Sequence, residues 1–291
     1  MGTLPDIPSC PVCGGQRARE IARLPDHYHP HAAPHPLLAC PDCGFRFLLS
    51  ATNTRDYPPR FLADNSSLRL PLHWRAYYSL SRRLPSRPPG RLLDVGCGDG
   101  KYLAWMARQG WQACGVDPNA PAPIAAAAHF TIQNAGLLEA GLPPDCFDAV
   151  TFWWSLEHMA EPLAALREAF RVLRPGGKVI VGVPNAASFE ARLFGPHWFH
   201  LNTPVHLSHF TAASLTVALR RAGFTVERIR QDRLSLGLVG SAANWLRHRA
   251  MPGLTVQRLA WHCLSIPYNV AASAVGSSGL MTAYARKPGQ V

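Results

Sequence analysis

The sequence has few charged residues, and acidic ones are the scarcer kind. Charged side chains make up 16% of the 291 residues, against about 25% in typical soluble proteins. The 29 basic residues, nearly all arginine, exceed the 18 acidic ones and give a formal net charge of +11. This balance favours an anionic partner, such as a nucleotide-linked substrate, a membrane surface or a nucleic acid. A GC-rich genome that encodes arginine in place of lysine explains it equally well.

The sequence also lacks a secretion signal, a membrane span and an internal repeat. Residues 1–9 do not join a basic start to an apolar run. The apolar run Cys263–Val275 is shorter than the roughly 20 residues that a bilayer requires. Without a secretion signal, the eight cysteines favour metal ligation over a disulfide framework. These features predict a cytoplasmic protein.

Composition divides the chain into three parts and one insertion. Residues 1–50 are rich in Cys, Pro and His and predict a zinc-ribbon-like knuckle. Residues 51–89 predict a connector or lid with a helical patch at Leu72–Leu84. Residues 90–291 predict one large domain, which an apolar helical insertion interrupts at about residues 232–279.

Short apolar runs alternate with helical segments through the first part of the large domain. Strands are predicted at Arg91–Val95, Trp111–Val116, Phe147–Trp153, Lys178–Val183 and Thr225–Ile229, and helices at Lys101–Gln109, Pro162–Leu173 and Ser214–Ala222. The alternation predicts an α/β fold with a mostly parallel sheet that helices cover on both faces. Ligands bind such sheets at the carboxyl ends of the strands.

The strongest motif follows the first of these strands. Asp94 and Val95 run into three alternating glycines, Gly96, Gly98 and Gly100. Glycine lets a ligand approach the backbone where a Cβ would collide with it. The next strand ends at Asp117, and an acid there can accept hydrogen bonds from both ribose hydroxyls. Asp94 suits a ligand with a cationic amino-acid end better than a pyrophosphate, which it would repel.

This stretch resembles motif I of class I S-adenosylmethionine-dependent methyltransferases, in the branch that acts on small molecules and sugars. Asp117, the stretch Phe147–His158 and the turn Leu173–Gly177 match later segments of that family in the same order. The resemblance implies a Rossmann-like, seven-stranded, mostly parallel sheet with helices on both faces and an antiparallel last strand. It also implies S-adenosylmethionine as the cofactor.

The resemblance further implies where the cofactor would lie. Asp94 and the glycines would receive its methionine part, Asp117 its ribose, and Asn134–Leu137 would lie near adenine, without the aspartate that many members have there. The predicted cofactor contacts are Asp94, Gly96, Cys97, Gly98, Gly100, Asp117, Pro118, Gly136, Leu137 and Trp154.

Two near-identical knuckles mark the N-terminal part. Each is a Cys-x-x-Cys followed by glycine, and the four cysteines are Cys10, Cys13, Cys40 and Cys43. Four thiolates fill the tetrahedral shell of zinc and leave no open position, so the predicted Zn²⁺ is structural. Histidines in the spacer could compete as ligands, at His27, His29, His31 and His35. A redox role is the alternative. Some small-molecule and sugar methyltransferases carry a similar module.

Histidines supply the candidate catalytic groups. His158 follows the fourth strand and is our first choice for a general base, while anchoring of the next helix by Glu157 and His158 is an equal alternative. Residues 195–211 are dense in His and aromatics and add His200 and His206 as catalytic candidates. His209 is a further candidate for substrate contact. A metal site among these histidines is not expected, because no carboxylate or cysteine joins them in the sequence.

The insertion allows three interpretations. Leu236–Leu246 and Leu254–Val275 are apolar and basic, so they could lie on a membrane with Arg247, Arg249 and Arg258 toward lipid phosphates. A substrate lid or a dimer contact fits equally well. The membrane reading would place the protein at the inner face of the membrane. Tyr57 and Phe61 resemble an aromatic patch that closes over the cofactor in relatives.

The leading hypothesis is methylation of a small acceptor, such as a sugar, polyketide-like or lipid-linked molecule, at oxygen or carbon. An RNA methyltransferase that uses the knuckle and the arginines is the second hypothesis. Against it, the aromatics are not interleaved with a basic stripe and the sequence has no Asn-Pro-Pro-Tyr motif. A cofactor-binding protein without catalysis is the third.

Overall fold

The computed structural model describes residues 9–29, 31–49, 90–120, 130–232, 235, 237–247 and 267–289. The strands are β1 (Arg19–Leu24), β2 (His35–Ala39), β3 (Arg46–Leu48), β4 (Arg91–Val95), β5 (Gln112–Val116), β6 (Phe130–Gln133), β7 (Phe147–Trp153), β8 (Leu173–Pro184), β9 (Ser208–His209), β10 (Thr225–Gln231) and β11 (Leu280–Arg286). The helices are α1 (Lys101–Arg108), α2 (Pro162–Val172), α3 (Phe189–Phe194), α4 (Ala212–Arg221) and α5 (Gly237–Arg247).

A seven-stranded sheet in the order β10-β11-β8-β7-β4-β5-β6 forms the large domain. β4 pairs in parallel with β5 and β7, and β7 with β8. Within this sheet, β11 is the one described strand that runs antiparallel to its neighbours, β8 and β10. This confirms the predicted fold class and the antiparallel last strand.

One strand begins earlier than the sequence predicts. We expected a turn at residues 175–177 and a strand from Lys178, but β8 starts at Leu173, which pairs with Phe147. The register shifts before Ala149 pairs with Lys178, so the Pro-Gly-Gly segment forms an irregularity within the strand. Backbone hydrogen bonds between Lys287 and residues 176 and 177, each 2.9 Å long, hold this irregular part in the sheet.

A second sheet joins the N-terminal part to the large domain. Its order is β1-β2-β3-β9. Its first three strands come from residues 19–48, but β9 lies in the His-rich segment that follows α3. β3 and β9 pair through Arg46 with His209 and Phe47 with Ser208. The N-terminal knuckle is therefore continuous in hydrogen bonding with the loop predicted to contact the acceptor.

The helices follow their apolar patterns and caps. α2 has proline in its first turn, which suits the free N–H groups there, and buries Ala165, Leu166 and Ala169 against the sheet. α4 starts two residues before the predicted position, because Thr211 and Ser214 form a reciprocal capping box that fixes its start,.

The described parts of the insertion pack on the large domain. Ser241 of α5 accepts a 2.9 Å hydrogen bond from the backbone N–H of Phe199, and Asn244 donates to the carbonyl of His197 at 3.4 Å. Residues 267–274 are also helical. No helix in the described ranges is long and apolar enough to cross a bilayer. The predictions for Tyr57, Phe61, Leu72–Leu84, Arg249, Arg258 and Cys263 fall outside the described residues.

In the turn after β4, the backbone of Gly96 lies close to Val116 and Ser155. Gly96 has φ +75 and donates to the carbonyl of Val116 at 2.8 Å. A Cβ at Gly96 would fall 2.4 Å from the Cβ of Ser155, whose hydroxyl is bonded to the carbonyl of Val95 at 2.5 Å. Gly98 has φ +52, yet no described atom lies within 4 Å of its Cβ position.

These two glycines make a matched test of the turn. We expect Gly98→Ala to lower the free energy of unfolding by about 1 kcal/mol through backbone strain alone. Gly96→Ala should lower it by about 2–4 kcal/mol, because overpacking against Ser155 adds to the same strain. Urea denaturation at constant m-value measures both losses. Equal losses would contradict the close approach at Gly96.

Candidate functional site

Asp94 lies at the end of β4 with its carboxylate inside the protein. It is 3% exposed and accepts a 2.7 Å hydrogen bond from the Thr151 hydroxyl on β7. Burial raises the pKa of Asp94 to about 7; the bond from Thr151 opposes this rise and the charge of Asp117 adds to it. The acid is therefore half-ionised near neutral pH, and a cation placed beside it would draw it into the charged form.

Asp117 follows β5 and ties the glycine turn to the sheet edge. Its Oδ2 accepts from the N–H of Gly98 at 2.9 Å and its Oδ1 from that of Asn119 at 2.8 Å. The side chain is only partly buried, and each carboxylate oxygen has a second lone pair. The geometry therefore leaves acceptor sites for two hydroxyl groups, as the ribose prediction requires.

Cys97 and Gly100 shape the inner side of the same turn. Cys97 is 7% exposed, and burial raises the pKa of its thiol, with Asp94 and Asp117 adding to the rise. It is therefore a packed neutral thiol rather than a nucleophile. Gly100 has φ +78, and a Cβ there would fall 2.8 Å from the ring of Phe130.

The remaining predicted cofactor contacts lie at the same edge. Residues 134–137 directly follow β6. Leu137 is buried, whereas Gly136 is partly exposed beside Glu139. Trp154 follows β7 with φ +52. The structure thus brings all ten predicted residues to the ends of β4, β5, β6 and β7. The geometry fits an adenosine with a cationic amino-acid end.

The three predicted catalytic histidines occupy different environments. His200 is 9% exposed, and burial lowers its pKa to about 3. Its ring packs against Trp198 and Phe199, with centroids 5.6 and 5.1 Å away. His200 is therefore a packing residue in this geometry rather than a base that exchanges protons with solvent.

His158 and His206 meet edge to face. Their ring centroids are 4.6 Å apart. Burial lowers the pKa of His158, and the carbonyls of Val205 and Trp154 and the charge of Asp117 oppose this fall. The pKa of His206 lies well below its ordinary value, first through burial and then through neighbouring histidines. Both rings are neutral at pH 7. His158 alone of the pair is partly exposed.

A carboxylate joins this pair, which corrects the expectation that none would. Glu157 is 1% exposed, and neither carboxylate oxygen has a hydrogen-bond partner within the described ranges. Burial raises its pKa to about 8, against the effect of its own backbone N–H. Ligand atoms of Glu157, His158 and His206 lie within 4.8 Å of one another. Glu157 and His158 do not cap α2, since Glu161 is its N-cap and no side-chain cap hydrogen bond is present there.

A second buried acid went unnoticed in the sequence. Glu190 of α3 is fully buried and accepts from the Ser235 hydroxyl at 3.4 Å. Burial raises its pKa to about 7, and Ser235 opposes the rise. Asn269, from the far part of the insertion, donates to the Ser235 carbonyl at 2.8 Å. The only sequence signal was an isolated acid in the otherwise apolar and basic run Phe189–Phe194.

The four knuckle cysteines converge as predicted. The Sγ atoms of Cys10 and Cys43 are 3.7 Å apart and those of Cys13 and Cys40 are 3.5 Å apart. All four lie within 4.8 Å of one another. Tetrahedral zinc with Zn–S bonds of about 2.3 Å needs sulfurs about 3.8 Å apart, so the donor set fits that ion. No histidine of the described spacer joins the group; His35 instead contacts Asp26 at 3.3 Å.

The knuckle packs on the large domain beside these groups. Phe45, two residues after Cys43, packs against Phe210 with ring centroids 5.0 Å apart and the ring planes tilted by 49°. Arg221 of α4 donates to the carbonyl of Cys13. Arg46 donates to the carbonyl of Ala186 at 3.4 Å. The knuckle therefore shares a hydrophobic core with the large domain.

Curated relatives cover part of the chain. A protein of Mycolicibacterium smegmatis, named as a probable S-adenosylmethionine-dependent methyltransferase, is 33% identical over 160 residues, 53% of this chain and 60% of that protein. A ubiquinone biosynthesis O-methyltransferase of Xanthomonas euvesicatoria pv. vesicatoria is 30% identical over 154 residues, 48% of this chain and 64% of that enzyme. The chain thus spans less than two thirds of the length of these relatives.

The fold and the family agree with the site geometry. The crystal structure of the [4+2]-cyclase SpnF is 25% identical with a TM-score of 0.52, and the match covers 74% of this chain and 81% of that one. The family described as a methyltransferase domain matches residues 71–229, more than half of the chain. The chain belongs to this methyltransferase-domain family.

Proposed function

We propose that the protein transfers a methyl group from S-adenosylmethionine to an oxygen or carbon atom of a small acceptor molecule. The observation that carries the proposal is that two acids, Asp94 and Asp117, lie close together at the glycine turn. Asp94 is a buried acid that an ammonium group would draw into its charged form, and Asp117 offers free lone pairs to two hydroxyls,. When bound, the cofactor supplies an electrophilic methyl group on a sulfonium.

The residues of the chain would position the two reactants. Asp117 and the glycine turn would hold the adenosine, and Asp94 would orient the amino-acid end. His158 is neutral, partly exposed and held by its Nδ1 on the carbonyl of Val205 at 3.1 Å. A neutral imidazole in that place can take the proton of an acceptor hydroxyl or carbon acid. Such alignment and proton removal are the main tasks left to the protein.

Two observations favour a small acceptor. Ser241 and Asn244 of α5 bond to the His-rich segment that we propose contacts the acceptor, and this supports the lid interpretation of the insertion. The Xanthomonas relative is an O-methyltransferase of ubiquinone biosynthesis. SpnF, in contrast, is a [4+2]-cyclase, so the fold alone does not fix the reaction.

A turnover assay tests the proposal directly. We expect S-adenosylhomocysteine to form with a panel of hydroxylated small acceptors. His158→Gln should lower kcat by about 100-fold or more, because proton removal commonly contributes that much. His29→Gln, outside the site, is the matched control and should not change kcat. Tight cofactor binding without product across phenols, sugars, enols and RNA would overturn the proposal.

Cofactor binding should depend on the charge of Asp94. Because burial raises the pKa of Asp94 to about 7, the free protein holds this acid mostly neutral at pH 6 and half-ionised at pH 7. We expect the Kd for S-adenosylmethionine to fall by about fivefold between pH 6 and pH 7, since the ammonium group selects the ionised form. Calorimetric titration measures this change.

The controls separate Asp94 from general charge effects. Asp94→Asn should bind more weakly and without this pH dependence. Asp145→Asn removes an exposed acid bonded to Lys287 and should behave as the wild type. An unchanged pH profile in Asp94→Asn would show that another group titrates.

We also propose that Cys10, Cys13, Cys40 and Cys43 hold one structural zinc ion. The sulfur spacing and the closed four-thiolate set support it,. Cys10→Ser should lose about one zinc equivalent per chain and unfold at lower temperature, because the ion contributes directly to folding. Cys146→Ser, which replaces a buried thiol outside the cluster, should keep the wild-type zinc content. Mass spectrometry of the metal measures both, and equal zinc in both variants would refute the assignment.

A further inference from the structure

One cluster of titratable groups is not explained by cofactor binding. Glu157 and His158 belong to the turn Leu156–His158 after β7, and His206 belongs to the segment before β9. Their ligand atoms lie within 4.8 Å of one another. The two segments are far apart in sequence, and backbone contacts bring them together. The N–H of Leu207 donates to the carbonyl of Glu157 at 2.8 Å.

Both histidines are oriented by the same kind of hydrogen bond. Nδ1 of His158 lies 3.1 Å from the carbonyl of Val205, and Nδ1 of His206 lies 2.8 Å from the carbonyl of His200. A carbonyl can only accept, so each Nδ1 carries the proton. The lone pair of each neutral ring is then on Nε2. This arrangement is typical of metal-binding histidines, whose other nitrogen donates to a carbonyl or carboxylate.

Glu157 adds a third group, a buried carboxyl without a hydrogen-bond partner among the described residues. Its carboxylate is 99% buried, and both oxygens lack a hydrogen-bond partner in the part of the chain that the structure describes. A buried carboxyl group without a hydrogen-bond partner is costly, and ligand atoms of the two histidines lie within 4.8 Å of it,. A cation between these ligand atoms satisfies all three groups at once. No ion pair in the described part of the chain includes Glu157, His158 or His206.

We propose that Glu157, His158 and His206 bind a divalent transition-metal ion, at a site separate from the four-cysteine cluster. Two imidazoles and one carboxylate are the donor set of zinc and iron(II) sites that keep open coordination positions. The carbonyls of Val205 and His200 fix the ring orientations, and the backbone bond to Glu157 fixes the distance between the two segments. The site is therefore largely formed before the ion binds.

The position of the site suggests what the ion does. His158 lies within electrostatic range of Asp117, and its turn follows Trp154 at the sheet edge that carries the cofactor contacts. If the proposed methyl transfer is correct, an ion with open positions there would bind an oxygen of the acceptor and favour its ionised form, with the acceptor proton released to solvent. With the ion bound, Nε2 of His158 would be a metal ligand, and the ion would replace the neutral imidazole in activating the acceptor. The acceptor class would be a hydroxyl or enol compound whose oxygen binds metal. This step rests on the proposed function, whereas the ion site itself does not.

Metal content in the absence of cofactor and acceptor tests the site. After loading with excess zinc and gel filtration, we expect about two zinc equivalents per wild-type chain, one from each site. Glu157→Gln and His206→Gln should each retain about one. Glu161→Gln, the same charge change at an exposed position four residues from Glu157, should retain two. A wild-type content of one, with no change in Glu157→Gln, would overturn the proposal and favour a proton shared between Glu157 and a histidine.

A spectroscopic titration keeps the test valid if a variant fails to fold. Cobalt(II) added to metal-free wild-type protein should fill the cysteine cluster with strong thiolate charge-transfer bands in the near ultraviolet. A further equivalent should add only weak visible bands, because nitrogen and oxygen ligands give no thiolate transition. Absence of this second phase would refute the site. Metal binding without turnover would instead refute the proposed methyl transfer and leave the site intact.

Discussion

The parallel register of β4 with β5 and β7 is the constraint on which the site depends. Asp94 lies opposite Gly115 on one neighbour and Thr151 on the other. The carboxyl ends of the three strands therefore lie side by side, and the residues that follow them lie at the same edge of the sheet. This places Asp117 and Trp154 beside the glycine turn. A slip by one residue would point Asp94 to the other face of the sheet and separate it from the Thr151 hydroxyl.

Burial favours the neutral form of three acids in this structure. Burial raises the pKa of Asp94 to about 7, of Glu190 to about 7 and of Glu157 to about 8. Each acid is neutral in the folded chain at a pH where the unfolded chain has already ionised it. Its contribution to stability is complete below about pH 4 and is lost as the pH rises toward the folded value. A cation bound beside one of these acids would favour its charged form and reverse this loss. Cation binding there and the stability of the fold would then be thermodynamically coupled.

The sequence predicts those parts of the fold and site whose residues lie close together along the chain. The glycine turn, Asp94 and Asp117 lie within short stretches that carry their own pattern, and the apolar period of α2 is visible without tertiary information. The meeting of Glu157 with His206 is not local. It depends on the bond from Leu207 to Glu157, which no spacing in the sequence reveals. Residues 195–211 contain no carboxylate of their own. For this reason the sequence predicted no metal site in that segment.

The shortest strand had the weakest signal, and it links the two halves of the molecule. β9 has two residues, too few for a period-of-two pattern, yet it completes the sheet of the knuckle through Arg46 and Phe47. Burial lowers the pKa of His209 on this strand to about 4, and Arg46 adds to the fall. His209 is therefore neutral and structural in this geometry.

It follows that the knuckle does more than stabilise the N-terminus. The segment that leads from His206 to His209 is fixed at one end by the bond to Glu157 and at the other by β3. Phe45 packs against Phe210 immediately beyond it. An ion in the four-cysteine cluster would hold β3, and β3 holds this segment. The position of His206 thus depends on the folding of the N-terminal knuckle, whose strand β3 pairs with β9.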